Sequence, residues 1–208
     1  MSGPSYLIAR TLPEYGPMGS WSLELRRATA DELKVVVHLI EGAAEWLRTK
    51  DTDQWSRPWP NRDRRNDRVL AHLRSGKAWI VWDHGTPAAT ITTDPDDDPY
   101  WPEPRRQEPA MYVHRLVVSR AYSGIGLGAQ LLDWAGRKAH ADHDALWIRV
   151  SVWTTNHRLH QYYTRLGFTR CERHIDDGYP SAALFQRPSK EFRAGDPLLF
   201  REPPPACS

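Results

Sequence analysis

The chain has 208 residues, enough for one sizeable domain, and its 40% hydrophobic content suffices for a core. A formal net charge of +2 argues for neither a nucleic-acid nor a membrane partner, and no apolar run approaches the roughly 20 residues that span a bilayer. Two cysteines, Cys171 and Cys207, are too few for a disulfide framework or a four-thiolate metal site, so no metal and a reducing, cytoplasmic setting are expected.

Residues 1–20 lack the basic start and long apolar stretch of a signal peptide and read as an extension. "WSLELRRA" (21–28) alternates apolar and polar residues, the pattern of a first strand. Thr29 with Glu32 is a capping box, and Leu33, Val36, Val37, Ile40, Ala44 and Leu47 then share one helix face. A loop (51–60) leads to an arginine-rich helix from Asn61 to Ser75. "KAWIVWD" and "TPAATITTD" predict a hairpin turning at His84-Gly85, and the prolines of "DPDDDPYWPEPRRQEP" predict irregular chain. "AMYVHRLVVS" (110–119) is the next strand. A glycine turn follows, then a helix with Leu127, Leu131, Leu132, Ala135 and Ala139 on its apolar side. In "ALWIRVSVWTT" (145–155), Ile148, Val150 and Val152 face one way, Arg149 and Ser151 the other. Asn156 is placed to cap a helix bearing Leu159, Tyr162, Tyr163 and Leu166. "FTRCERH" and "SAALFQR" predict closing strands, so the domain spans 21–187, and 188–208 reads as a proline-rich, irregular tail. The strand–helix–strand unit from 110 to 155 predicts two parallel strands within a mostly antiparallel, mixed sheet flanked by helices, an α/β (α+β mixed) domain.

Three glycines at alternate positions, Gly124, Gly126 and Gly128, stand where that central helix begins. Such a turn presents free N–H groups beside the positive end of a helix dipole, which suits an anion, phosphate above all. No Gly-Lys-Ser/Thr follows, so a P-loop is excluded. A dinucleotide fingerprint is met formally by Gly124, Gly126 and Ala129, yet the next strand ends in "WTTN" without the acidic residue that fingerprint wants.

"LVVSRAYSGIGLGAQLL" followed by "WTTNHRLHQYYTRLGF" resembles the GNAT superfamily of acyl-CoA-dependent N-acyltransferases. The resemblance rests on a strand, then Arg/Gln-x-x-Gly-x-Gly/Ala opening a helix, then an asparagine after the next strand and a tyrosine seven residues on, before Leu-Gly-Phe. Gly126, Gly128, Asn156, Tyr163 and Leu166-Gly167-Phe168 occupy those places, and Ser123 stands where the family has Arg or Gln. The resemblance implies acetyl-CoA or another acyl-CoA as cofactor. It implies that the amides of Ser123, Gly124, Ile125, Gly126, Leu127 and Gly128 bind its pyrophosphate. Leu116, Val117 and Val118 would pair with the pantetheine arm, and an amide near Val118 would stabilise an oxyanion. Tyr163 would be the acid for the leaving thiolate, beside the cofactor, and Asn156 would cap its helix and touch the arm. His114, read as two residues before Leu116 on the same strand face, is the candidate base; a histidine satisfied by a neighbour is the alternative. Ser151 is a candidate proton relay.

The expected activity is transfer of an acyl, here acetyl, group to a primary amine of a small molecule. Trp46, Trp55 and Trp59 interleaved with Arg62, Arg64, Arg65 and Arg68 leave open a tRNA partner and an aminoacyl-tRNA donor. Asp94, Asp96, Asp97 and Asp98 point the opposite way, to a cationic amine. A non-catalytic acyl-CoA-binding domain is the third alternative.

Overall fold

A computed structural model describes residues 22–56, 58, 60–96, 100–103, 105–171, 179–193 and 198–203. The 1–20 extension, Trp21, Trp59, Asp97, Asp98, residues 172–174 and Cys207 lie outside them.

Strand β1 (Leu23–Arg27) buries Leu23 and Leu25 by simple alternation. The capping box forms, Thr29 donating its amide to the Glu32 carboxylate at 2.9 Å, and one 3₁₀ turn leads into α1 (Leu33–Leu47). Its buried stripe is Val36, Leu39, Ile40 and Leu47, rotated slightly from the expected face so that Leu39 rather than Val37 is covered. Helix α2 (Arg62–Arg74) is capped by Asn61, whose side chain accepts from the Arg64 amide at 2.9 Å, and buries Val69 and Leu73. Strands β2 (Ala78–Asp83) and β3 (Thr86–Asp94) form the expected hairpin. His84 (φ 46°) and Gly85 (φ 84°) supply the two positive φ values of a tight primed turn.

Next come β4 (Ala110–Val118), α3 (Leu127–His143) and β5 (Trp147–Val152), with β4 and β5 parallel as the strand–helix–strand pattern requires. The last elements are α4 (His157–Arg165), β6 (Thr169–Cys171), β7 (Ala183–Pro188) and β8 (Phe200–Arg201). They complete one eight-stranded sheet in the order β6-β7-β5-β4-β3-β2-β1-β8, antiparallel except at β4/β5 and β1/β8. One face packs on α3 and α4 through Leu131, Leu132, Ile148 and Val150; the other packs on α1 and α2 through Ile40, Val69, Ile80 and Val117.

Two expectations are corrected. β5 is shorter than 145–155, because Ala145 and Leu146 lead into the strand and Thr154 and Thr155 already turn toward α4. The tail is not irregular throughout. Phe200 and Arg201 pair with Leu23 and Glu24, Phe200 is only 5% exposed, and Trp134 donates its indole N–H to Glu202 at 2.8 Å. Two residues of strand are too few to show as periodicity, and the edge of β1 supplies the partner.

Candidate functional site

β4 and β5 pair only from Ala110/Trp147 to Val113/Val150 and then part. The cause lies in β4. Thr92 faces His114 while Thr90 faces Val117, so Arg115 and Leu116 share one partner position, a β-bulge in which Arg115 takes φ 49°. The extra residue resets the alternation. Met111, Val113, Leu116 and Val118 belong to the face of α3 and α4, whereas Val117 packs with α1 and α2. His114 therefore does not share a face with Leu116, as simple alternation predicts. Its ring lies 6.0 Å from that of His72 on α2. Beyond the bulge, Ser119 donates its amide to Ala88 O at 2.8 Å, so alternation turns the amides of Val118 and Leu116 toward the side that β5 has left.

The glycine turn stands at the end of this edge. Gly124 and Gly126 both have φ 86°, Gly126 as the left-handed N-cap of α3, and a Cβ on either would meet nothing within 4 Å. Gly128 has a different reason. A Cβ there would fall 2.9 Å from the Tyr162 hydroxyl and 3.6 Å from a Val118 methyl, so a side chain there requires the Tyr162 phenol of α4 to shift. The first-turn amides of α3, from Leu127 on, have no partner within the helix and carry the dipole's positive end. Ser123 and Ile125 are part-exposed on the same turn. Arg120, the nearest cation in sequence, stacks its guanidinium 4.0 Å from the Trp46 ring centroid on α1.

A cleft of about 310 Å³ occupies the gap between the parted strands, with Leu116, Ser151, Leu159 and Tyr163 among its walls. Tyr163 belongs both to this wall and to the core: it is 7% exposed and meets Phe168 edge-on at 5.3 Å. Burial, and then its neighbour Tyr162, raises its phenol well above the ordinary value, so it is fully protonated at neutral pH. Ser151 faces the cleft with a buried hydroxyl that has no hydrogen-bond partner among the described residues. Asn156 caps α4, accepting from the Leu159 amide at 3.0 Å, and donates to Gln54 at 2.6 Å, which ties the 51–56 loop over the cleft. Burial first, then the charges of Arg115 and His72, push His114 down to about 3. A neutral imidazole that weakly basic is a poor match for an amine proton.

Of the opposite wall, Arg65 and Arg68 are among the arginines that the sequence singles out, whereas His72 and Arg115 are not. Arg65, Arg68 and His72, spaced along one face of α2, line the cleft together with Arg115. Nothing in the local pattern marks Arg115, because only the bulge aims it there. Of the acidic run, Asp94 takes Lys77 at 2.6 Å and His72 Nε2 at 3.3 Å, and Asp96 accepts from Lys77 as well. Arg65 pairs with Glu41 at 3.0 Å, Arg62 with the same carboxylate at 3.8 Å, and Arg64 is exposed. No helix among the described residues is long and apolar enough to cross a membrane, and no group of three potential metal ligands occurs among them.

Comparison with known proteins agrees with this fold. The family model described as "Acetyltransferase (GNAT) family" matches residues 40–168. The Bacillus subtilis protein described as uncharacterized N-acetyltransferase YesJ is 28% identical over 145 residues, which cover 68% of this chain and 78% of that one. A GNAT-family acetyltransferase structure from Listeria monocytogenes superposes with a TM-score of 0.63 at 24% identity, covering 79% of this chain and 93% of that one. The PaiA N-acetyltransferase of Thermoplasma acidophilum, solved with coenzyme A, gives 0.60 at 16% identity, covering 80% and 99%.

Proposed function

The chain belongs to the GNAT acetyltransferase family, and from that premise we propose that it moves an acetyl group from acetyl-CoA to a primary amine of a small molecule by direct attack. One observation carries the reading. Leu116 of the parted β4 edge and Tyr163 line the gap that β5 leaves, and the open glycine turn follows directly on the end of that edge.

The residues present fit the cofactor. The Ser123 amide is taken by Arg120 O at 3.2 Å, but Gly124 and Gly126 leave room beside the first-turn amides of α3, which suits a pyrophosphate without the Arg or Gln that Ser123 replaces. The coenzyme A complex of the T. acidophilum relative supports the same choice. The outward amides of Leu116 and Val118 suit an extended pantetheine arm, which would add to the sheet as a further strand. Bound acetyl-CoA supplies an acyl group already activated as a thioester.

The chain's own groups divide the remaining work. The Val118 amide is placed to donate to a developing oxyanion; loss of such a donor costs about 2.7–4 kcal/mol of barrier. Tyr163 holds its proton firmly and is placed to give it to a departing thiolate. Asn156 positions α4, and hence Tyr163, through its cap. His114 is held too far below neutrality to lead as general base, so amine deprotonation falls to water, with the Ser151 hydroxyl as a relay. The aminoacyl-tRNA alternative finds no support in the arginines of α2, two of which pair with Glu41.

The test combines calorimetric titration with acetyl-CoA and mass spectrometry of an amine panel. Binding and a product one acetyl heavier are expected. Absence of any stabilisation by millimolar acetyl-CoA, where a hundredfold excess over Kd adds about 2.7 kcal/mol, would overturn the reading. A non-catalytic binder would instead bind acetyl-CoA and acetylate nothing.

A further inference from the structure

We propose that the acceptor is an amine that also carries an anionic oxygen group, a carboxylate or a phosphonate, and that Arg115 and Arg68 hold that group on the wall facing the parted strands. The inference rests on the transferase reading and names its substrate class.

Three independent features meet here. Arg115 is a non-glycine residue at φ 49°, a strained conformation that persists only where the surroundings over-determine it. The bulge that imposes it adds a residue to β4 and turns Arg115 into the cleft. Next, Arg68 lines the same cleft from α2: burial first, and then Arg68, depress Arg115 to about 10, which leaves Arg115 cationic at neutral pH. No salt bridge holds Arg115 among the described residues. Its near neighbour, His72 Nδ1 at 3.2 Å, lies 2.6 Å from the Arg68 carbonyl, to which the ring N–H donates, so it cannot also accept from Arg115. Third, the Ser151 hydroxyl in the same cleft is a buried donor without a partner among the described residues.

No carboxylate is among the described residues lining the cleft. That wall disfavours a diamine and favours an anion, whose charge would offset that of the buried Arg115 guanidinium. The stacked pair Tyr100–Tyr179, with centroids 3.9 Å apart, and Trp55 offer an apolar surface to the rest of the molecule. The guanidiniums have a second effect. Like charge nearby lowers the pKa of the acceptor's own ammonium, which supplies free amine where His114 is too weak a base.

The experiment compares phenylalanine, its methyl ester, its aminophosphonate analogue, phenylethylamine and a diamine, each with acetyl-CoA and the full chain. kcat/KM for the carboxylate or the phosphonate should exceed that for the ester and phenylethylamine by about tenfold to a hundredfold, the range of one charge-assisted pair. The better of the two acids identifies the anion. Arg115→Met should raise KM for the acid and collapse the acid-to-ester ratio toward one, with kcat less affected. Arg68→Met, on the part-exposed face of α2, repeats the test should Arg115→Met fail to fold. Equal or better use of the ester or the diamine overturns the proposal, as does an unchanged ratio in the variants. Calorimetric binding of phenylalanine against its ester without acetyl-CoA decides the matter separately. Acid preference there with no acetyl-CoA binding would sink the transferase reading alone.

Discussion

Tyr163 and His114 show how burial assigns roles to residues that look alike on paper. Phenol and imidazole both serve in acid–base work, but burial raises Tyr163 and lowers His114, so at neutral pH the one carries a proton to give and the other is too weak a base to take one. Tyr163→Phe should cut kcat by about 10²–10⁴-fold, the range of a positioned acid, while calorimetry finds the acetyl-CoA Kd unchanged. His114 gives a prediction for stability. Its ordinary value is 6.5 and its folded value about 3, so between them the unfolded chain binds a proton that the folded chain refuses. Stability therefore falls as pH drops through that window, by up to about 1.4 kcal/mol per unit. His160, lowered chiefly by burial, pushes the same way. His114→Gln should flatten the fall in melting temperature between pH 6.5 and 4 without moving the acid limb of kcat/KM. Away from the cleft, Arg187 and Asp133 pair at 2.8 Å with both side chains inaccessible; Asp133→Ala should cost about 3–5 kcal/mol, read by urea denaturation, because it strands the buried guanidinium.

At the level of elements, the glycine turn and the start of α4 determine whether the cleft holds together. Gly126→Ala forces an L side chain into φ 86° at the cap of α3, a strain of about 1–2 kcal/mol that should lower the melting temperature. Gly128→Ala meets only the far end of the Tyr162 side chain, which can swing aside. Its melting temperature should hardly move, while acetyl-CoA titration should show weaker binding as the displaced phenol crowds the turn. The contrast separates backbone conformation from close approach, which the sequence presents as one run of three glycines. Asn156→Ala should cost about 1 kcal/mol for the cap. It also strands the Gln54 amide, so loss of turnover should exceed what the stability change explains.

For the molecule as a whole, the C-terminal segment closes the sheet edge opposite the site. β8 covers β1, and Phe200 joins the core that also holds Trp134. Removal of residues 198–208 deletes a buried Phe, worth about 3–5 kcal/mol, and should lower the melting temperature by about 6 °C or more in calorimetry. An unattached tail would leave it unchanged. The same region approaches α3 so closely that a Cβ on Gly136 would lie 2.6 Å from Ser189 O, so the tail is part of how α3 is held against the sheet.

The sequence by itself determined the elements, their order, the parallel strand pair, the glycine turn and the two helix caps. Each is a local matter of period, cap or turn chemistry within a few residues, and the family resemblance lay in the same short runs. Only the tertiary structure decided which face His114 occupies, that Arg115 enters the cleft, that Arg120 stacks on Trp46 and that the tail carries a strand. A bulge is one residue too many relative to a partner strand, and neither the partner nor the register is written in the strand itself. The cationic wall is likewise formed by α2 and β4, which lie far apart along the chain, and charges so separated meet only after the sheet has brought them together.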